Sequence, residues 1–153
     1  KPAIPDHILL KPGPITDEEF EIMKMHTHKG GQFIDQLLAN FSLETMPHVQ
    51  ILHNIVELHH EAINGNGYPH GHQQQDIPIE ARIAAVADVF DALTSRRPYK
   101  QAWSNDEAYA TLNQLSGTKL DAECVAVLGQ CREEVEAIQR LFCNGPIFKR
   151  LLH

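Results

Sequence analysis

Apolar residues recur at three- and four-residue spacing along most of the chain, and no stretch alternates as a half-buried strand would. Thr16 followed by Asp17, Glu18 and Glu19 is a capping box. Phe20, Ile22 and Met23, then Phe33, Ile34, Leu37 and Leu38, continue from it at helical spacing, with Gly30 and Gly31 expected to interrupt the helix. Pro47 suits the first turn of a second helix, whose Val49, Ile51, Leu52, Ile55, Val56 and Leu58 run up to the His59-His60 pair. A third helix is predicted from Ile77-Pro78 to Thr94, apolar enough in its middle to be buried on most sides. Ser104 to Glu107 is a second capping box, opening a helix over Ala108, Tyr109, Leu112 and Leu115 that Gly117 stops. Asp121 then caps a helix carrying Val125, Val127 and Leu128, and residues 133–142 continue as amphipathic helix.

Between these helices, Asn64 to Gly71 has the glycine and proline content of a turn, and residues 72–76 extend it as a polar loop. The first fifteen residues hold Pro2, Pro5, Pro12 and Pro14, which predict an irregular, extended entry without helix. The class is therefore all-α, a helical bundle. At 153 residues the chain has the size of one domain, and 42% hydrophobic with 22% charged residues excludes disorder. No apolar run approaches the length of a membrane span, so no membrane contact is expected. A net charge of −7 argues against a nucleic acid polymer as partner and leaves phosphate recognition to a local patch. Cys124, Cys131 and Cys143 form no Cys-x-x-Cys pair, which is read as apolar thiols in a reducing cytoplasm. The chain opens on Lys1 without methionine, so it is expected to be cut from a longer polypeptide.

Ten histidines make imidazole the chemistry to examine. On a helix, adjacent His59 and His60 would diverge by about 100°, so each is expected to serve a neighbouring metal ion, or one to ligate while the other supports it. His26 and His28 face different sides, so at most one of them is expected to point into a site, and the glycines after Lys29 would let backbone or ligand come close to His26. His7, His48, His53, His70, His72 and His153 read as solvated or helix-face side chains. Asp88 lies in an apolar run, where an ionised carboxylate needs a cation, either a metal or Arg82. Arg96, Arg97 and Lys100 concentrate positive charge suited to phosphate oxygens, or to ion pairs with Asp88 or Asp91.

The runs His59-His-Glu-Ala-Ile-Asn-Gly-Asn-Gly-Tyr-Pro69, Ile77 to Thr94 and Arg97-Pro-Tyr-Lys100 resemble the HD-GYP domain family in order and spacing. The likeness extends back through Ile4 to Gly13 and Met25 to Gly30, and forward to Asp121. It implies an HD-type helical bundle over residues 1–130 that lacks the family's N-terminal His-Asp part, with 131–153 a C-terminal helical extension. The implied activity is a metal-dependent phosphodiesterase of bacterial signalling, hydrolysing cyclic di-GMP to linear pGpG or GMP by in-line attack of a bridging hydroxide. Two or three divalent ions, iron or manganese, are the implied cofactors. By motif, His26, His59, His60 and Asp88 resemble metal ligands, Asp88 being buried at the metal end. Lys1 resembles the catalytic lysine closing the His-Asp-x-Gly-Lys motif, Arg97 and Lys100 the residues holding substrate phosphate, and Tyr68 a substrate-shaping residue. A diguanylate cyclase (GGDEF) domain is the implied protein partner.

The chain departs from the pattern in containing no His-Asp dipeptide, in Ala62-Ile63-Asn64, and in Arg96. Without the dyad the chain alone is expected to be inactive, its parent domain active. The alternatives are a degenerate module that binds cyclic di-GMP or a cyclase domain, and a phosphohydrolase of another nucleotide.

Overall fold

The computed structural model describes residues 4–43, 45, 47–96 and 101–144; Lys1, Arg97, Lys100 and His153 lie outside them. Among the described residues there are seven α-helices and no strand: α1 (Asp6–Leu9), α2 (Asp17–Phe41), α3 (Val49–Leu58), α4 (Ile79–Thr94), α5 (Asn105–Leu115), α6 (Ala122–Gln130) and α7 (Arg132–Asn144). The all-α expectation holds. Among the described residues no helix is long and apolar enough to cross a membrane.

Helix starts follow the local signals. Thr16 accepts from the Glu19 N–H while the Glu19 carboxylate accepts from Thr16 N–H, and Ser104 and Glu107 repeat the arrangement on α5. Asp121 caps α6 by accepting from the N–H groups of Glu123 and Cys124. These partners satisfy amides that a helix N-terminus would otherwise leave unpaired.

Three expectations fail. The entry segment is not wholly irregular, because its prolines flank Asp6–Leu9 rather than interrupt it. The Pro5 carbonyl accepts from both Ile8 and Leu9, and Ile8 is buried. Gly30 and Gly31 do not break α2, which runs unbroken for 25 residues. They lie instead where α3 packs against it, and a Cβ at Gly30 would fall 2.6 Å from Val56 Cγ1. Nor is α4 buried on most sides: Ala81, Ala85, Val86 and Phe90 face inward, while Ile83 remains 54% exposed.

The helices pack in chain order, α2 on α3, α3 on α4, and α4 on both α5 and α6. The main core joins Ala85, Val86 and Phe90 of α4 to Ala108, Tyr109 and Leu112 of α5, with Leu120 and Val125. α7 closes over it through Val135, through paired amides of Asn105 and Gln139, and through the Arg132 guanidinium stacked 4.2 Å from the Tyr109 ring centre. On the other side, Ile34 and Leu38 of α2 are buried, which presents the middle of α2 to the end of α3.

Candidate metal centre

The structure brings His26, His59 and His60 together: one ring nitrogen from each lies within 4.8 Å of the other two. His26 projects from the middle of α2 and is buried, whereas His28, two residues on, is exposed and accepts from the Gln32 side-chain amide. Of the two, His26 is the one this packing turns toward His59 and His60.

His59 and His60 do not continue α3. The helix ends at Leu58, His59 is its C-cap and His60 lies in the following turn. The divergence expected of adjacent helical residues is thereby corrected, since the chain turns as the helix ends and the two rings come to 4.1 Å with a 39° tilt. The His26 ring stands 5.5 Å from His59 and 5.0 Å from His60.

Backbone carbonyls set the tautomers. His26 donates from Nδ1 to the Met23 carbonyl at 2.7 Å, and His59 donates from Nδ1 to the carbonyls of Ile55 and Val56 at 2.8 and 3.1 Å. A carbonyl only accepts, so in each neutral ring the proton sits on Nδ1 and the lone pair on Nε2. This is how metal-ligating histidines are held, their outer nitrogen bound so that the inner one keeps its orientation.

Two further residues shape the space. Tyr68 stacks on His60 with ring centres 4.8 Å apart and an interplanar angle of 28°. Burial, followed by the charge of Asp88, pushes its pKa up to about 12, so it is a neutral hydroxyl at neutral pH. Glu61 is only 5% exposed, and each of its oxygens accepts one loop amide, from His70 at 2.7 Å and His72 at 3.0 Å. Glu61 thus ties the Asn64 to His72 loop to the end of α3. Gly67 completes the attachment: a Cβ there would lie 2.2 Å from the Ala62 amide nitrogen, a space only glycine fits.

A cavity of about 210 Å³ opens beside the histidines. His59, His60 and Asp88 line it together with Phe20, Lys24 and Tyr68. Asp88 corrects its expectation, being exposed rather than buried and standing outside the 4.8 Å histidine group. Its place on α4 points it to the cavity wall rather than into the apolar seam that Ala85, Val86 and Phe90 form. Arg82 does not partner it; Arg82 bonds Asp121 at 2.9 Å. Asp91 accepts from Ser95 Oγ at 2.9 Å.

Sequence reading missed Glu61, Phe20 and Lys24. Glu61 follows the histidine pair directly, and Phe20 and Lys24, four residues apart, share one face of α2; only the fold shows that this face borders the cavity. His53 and His70, read as plain surface side chains, both meet Glu57, and His53 also meets Asp35 at 3.0 Å. Cys124 and Cys131 are free thiols, and burial pushes the Cys124 pKa up.

A family model described as HD domain matches residues 1–124. Over 138 residues the chain is 44% identical to the cyclic di-GMP phosphodiesterase response regulator RpfG of Xanthomonas campestris pv. campestris, an alignment covering 90% of this chain and 35% of that protein. It is 42% identical over 140 residues to a cyclic di-GMP phosphodiesterase of Thermotoga maritima, covering 92% and 36%. It is 36% identical over 139 residues to the 3′3′-cGAMP-specific phosphodiesterase 2 of Vibrio cholerae, covering 91% and 25%. The chain therefore spans between a quarter and somewhat over a third of these relatives' length.

Proposed function

The chain belongs to the HD domain family, and from that premise we propose that it supplies the histidine part of a metal-dependent phosphodiesterase acting on cyclic di-GMP. The family match and the relatives' names are consistent with an HD-GYP domain. The observation that carries the reading is the trio His26, His59 and His60, with His26 and His59 each donating from Nδ1 to helix carbonyls, which puts the lone pair of the neutral ring on Nε2. The donor set fits a divalent ion: imidazoles without thiolate suit iron, zinc or nickel, and a carboxylate beside them suits manganese. Iron or manganese is the proposed metal, and Asp88, on the wall of the same cavity, is the carboxylate available to a second ion.

Bound there, the ion supplies a Lewis acid for phosphoryl oxygens and activates water. The chain's own residues do the rest. Glu61 and Gly67 hold the loop that carries Tyr68, and Tyr68 packs His60 into place. The cavity leaves room for a phosphodiester beside the histidines. In the hydrolysis, water oxygen bonds to phosphorus, the bond from phosphorus to the ribose 3′ oxygen breaks, and the water's proton ends on that oxygen. Lys1, Arg97 and Lys100, outside the described residues, complete the proposed set as the lysine at the metal end and the two phosphate contacts. Residues 131–153 are proposed as a helical extension of the domain, and the exposed Pro69 end of the loop as the contact for a cyclase domain.

The test is elemental analysis and a cyclic di-GMP hydrolysis assay on the full-length protein and on this chain. Bound metal and cleavage in the full-length protein, with the chain alone inert, support the proposal. A metal-free, inert full-length protein overturns it and leaves a binding module. The relative named for 3′3′-cGAMP makes that dinucleotide the second substrate to assay.

A further inference from the structure

The cavity that His59 and His60 line is also lined by Phe20, Lys24 and Tyr68, which have chemistry of their own. Lys24 places its ammonium 5.4 Å from the Phe20 ring centre and 6.0 Å from that of Tyr68. Phe20 meets Tyr68 edge to face at 6.0 Å and is 42% exposed. Tyr68 is the common neighbour, stacked on His60 and also bordering Lys24. The lysine's ion pair, at 2.6 Å, is to Glu21 three residues away, whose carboxylate is exposed while the Lys24 side chain is partly covered. Such pairs are weak and exchange readily.

A cyclic dinucleotide carries two phosphodiesters and two bases. With one phosphodiester at the histidines, the other and a base remain to be held, and an acidic chain has to supply a local cation for them. We propose that Lys24 and Phe20 form this second subsite, Lys24 contacting the phosphodiester that is not being cut and Phe20 stacking a purine base. An ammonium on an aromatic platform is a preset anion contact, and every base offers a face to an exposed ring. The inference rests on the proposed phosphodiesterase reading and adds to it the residues that select a two-phosphate substrate over a simple phosphodiester.

The test uses the full-length, manganese-loaded protein with two substrates, cyclic di-GMP and bis(p-nitrophenyl) phosphate, which has one phosphodiester and no purine. Equilibrium binding of cyclic di-GMP is measured alongside. Lys24→Met is expected to lower the ratio of kcat/KM for cyclic di-GMP to that for bis(p-nitrophenyl) phosphate by about tenfold, mainly through KM, the loss expected for one charged hydrogen bond. Lys24→Arg restores the ratio, Phe20→Leu lowers it, and Lys29→Met, on the same helix but off the cavity wall, leaves it unchanged. A ratio unmoved by Lys24→Met, or moved equally by Lys29→Met, overturns the subsite. If the wild type binds cyclic di-GMP without cutting either substrate, the phosphodiesterase reading falls, and the subsite is judged by the same tenfold loss in binding. A wild type that neither binds nor cuts overturns both.

Discussion

Gly30 and Val56 meet with no room for a side chain between them: a Cβ on residue 30 would stand 2.6 Å from Val56 Cγ1. The contact lets α3 approach α2 closely enough for the His59-His60 turn to reach His26. A helix interior normally gains up to about 1 kcal/mol from glycine to alanine. Here Gly30→Ala is expected to lose about 1–2 kcal/mol, because overpacking costs more than propensity returns. Urea unfolding of Gly30→Ala, Val56→Ala and the double variant should give a favourable coupling between the two changes. Additive losses would mean that the helices are not in contact at this point.

Glu61 is expected to govern the loop. Glu61→Gln keeps the shape but replaces one of the two accepting oxygens with a donor, facing the amides of His70 and His72. A loss of about 1–3 kcal/mol follows from leaving a buried amide unmet. Hydrogen exchange at His70 and His72 should speed up while α5 and α6 keep their protection.

Acid should weaken the α4 to α6 junction through Asp121. Burial raises its pKa, but the amides of Cys124 and Glu123 and the Arg82 guanidinium outweigh burial and hold it below the ordinary aspartate value of 3.8. A depressed folded pKa means that the unfolded chain takes up the proton first as pH drops. Its contribution is complete above the ordinary value and is lost as pH falls through the folded one. Urea midpoints taken from about pH 5 downward should fall in the wild type and fall less steeply in Asp121→Asn.

Metal uptake should separate two histidines two residues apart. His26→Ala is expected to weaken manganese or iron binding about a hundredfold or more, since ligand loss exceeds the 10- to 100-fold effect of losing an outer contact. His28→Ala, whose imidazole is exposed and bonded to Gln32, should bind as the wild type does. Elemental analysis after dialysis reads the difference, and equal losses in both would remove His26 from the ligand set.

The helix starts at Thr16, Ser104 and Asp121, the all-α class and the residue types of the histidine site were all legible in the chain. Each rests on short-range rules: a capping side chain reaches an amide two or three residues ahead, and helical periodicity repeats within one turn. That at most one of His26 and His28 could face the site was also legible, because residues two apart on a helix do not share a face.

What depended on distant parts of the chain was decided by packing. The double glycine reads locally as a break and is instead the seat of α3. His59 and His60 read as diverging and converge because the helix ends between Leu58 and their turn. Asp88 reads as buried with Arg82 or a metal, yet it reaches a cavity wall while Arg82 turns to Asp121, 39 residues away. Phe20 and Lys24 share a helix face by their spacing, but nothing local says that this face borders the histidines. Local propensity is set by neighbours in sequence, whereas which face meets which, and therefore which charges and rings meet, is set by contacts between helices far apart in the chain.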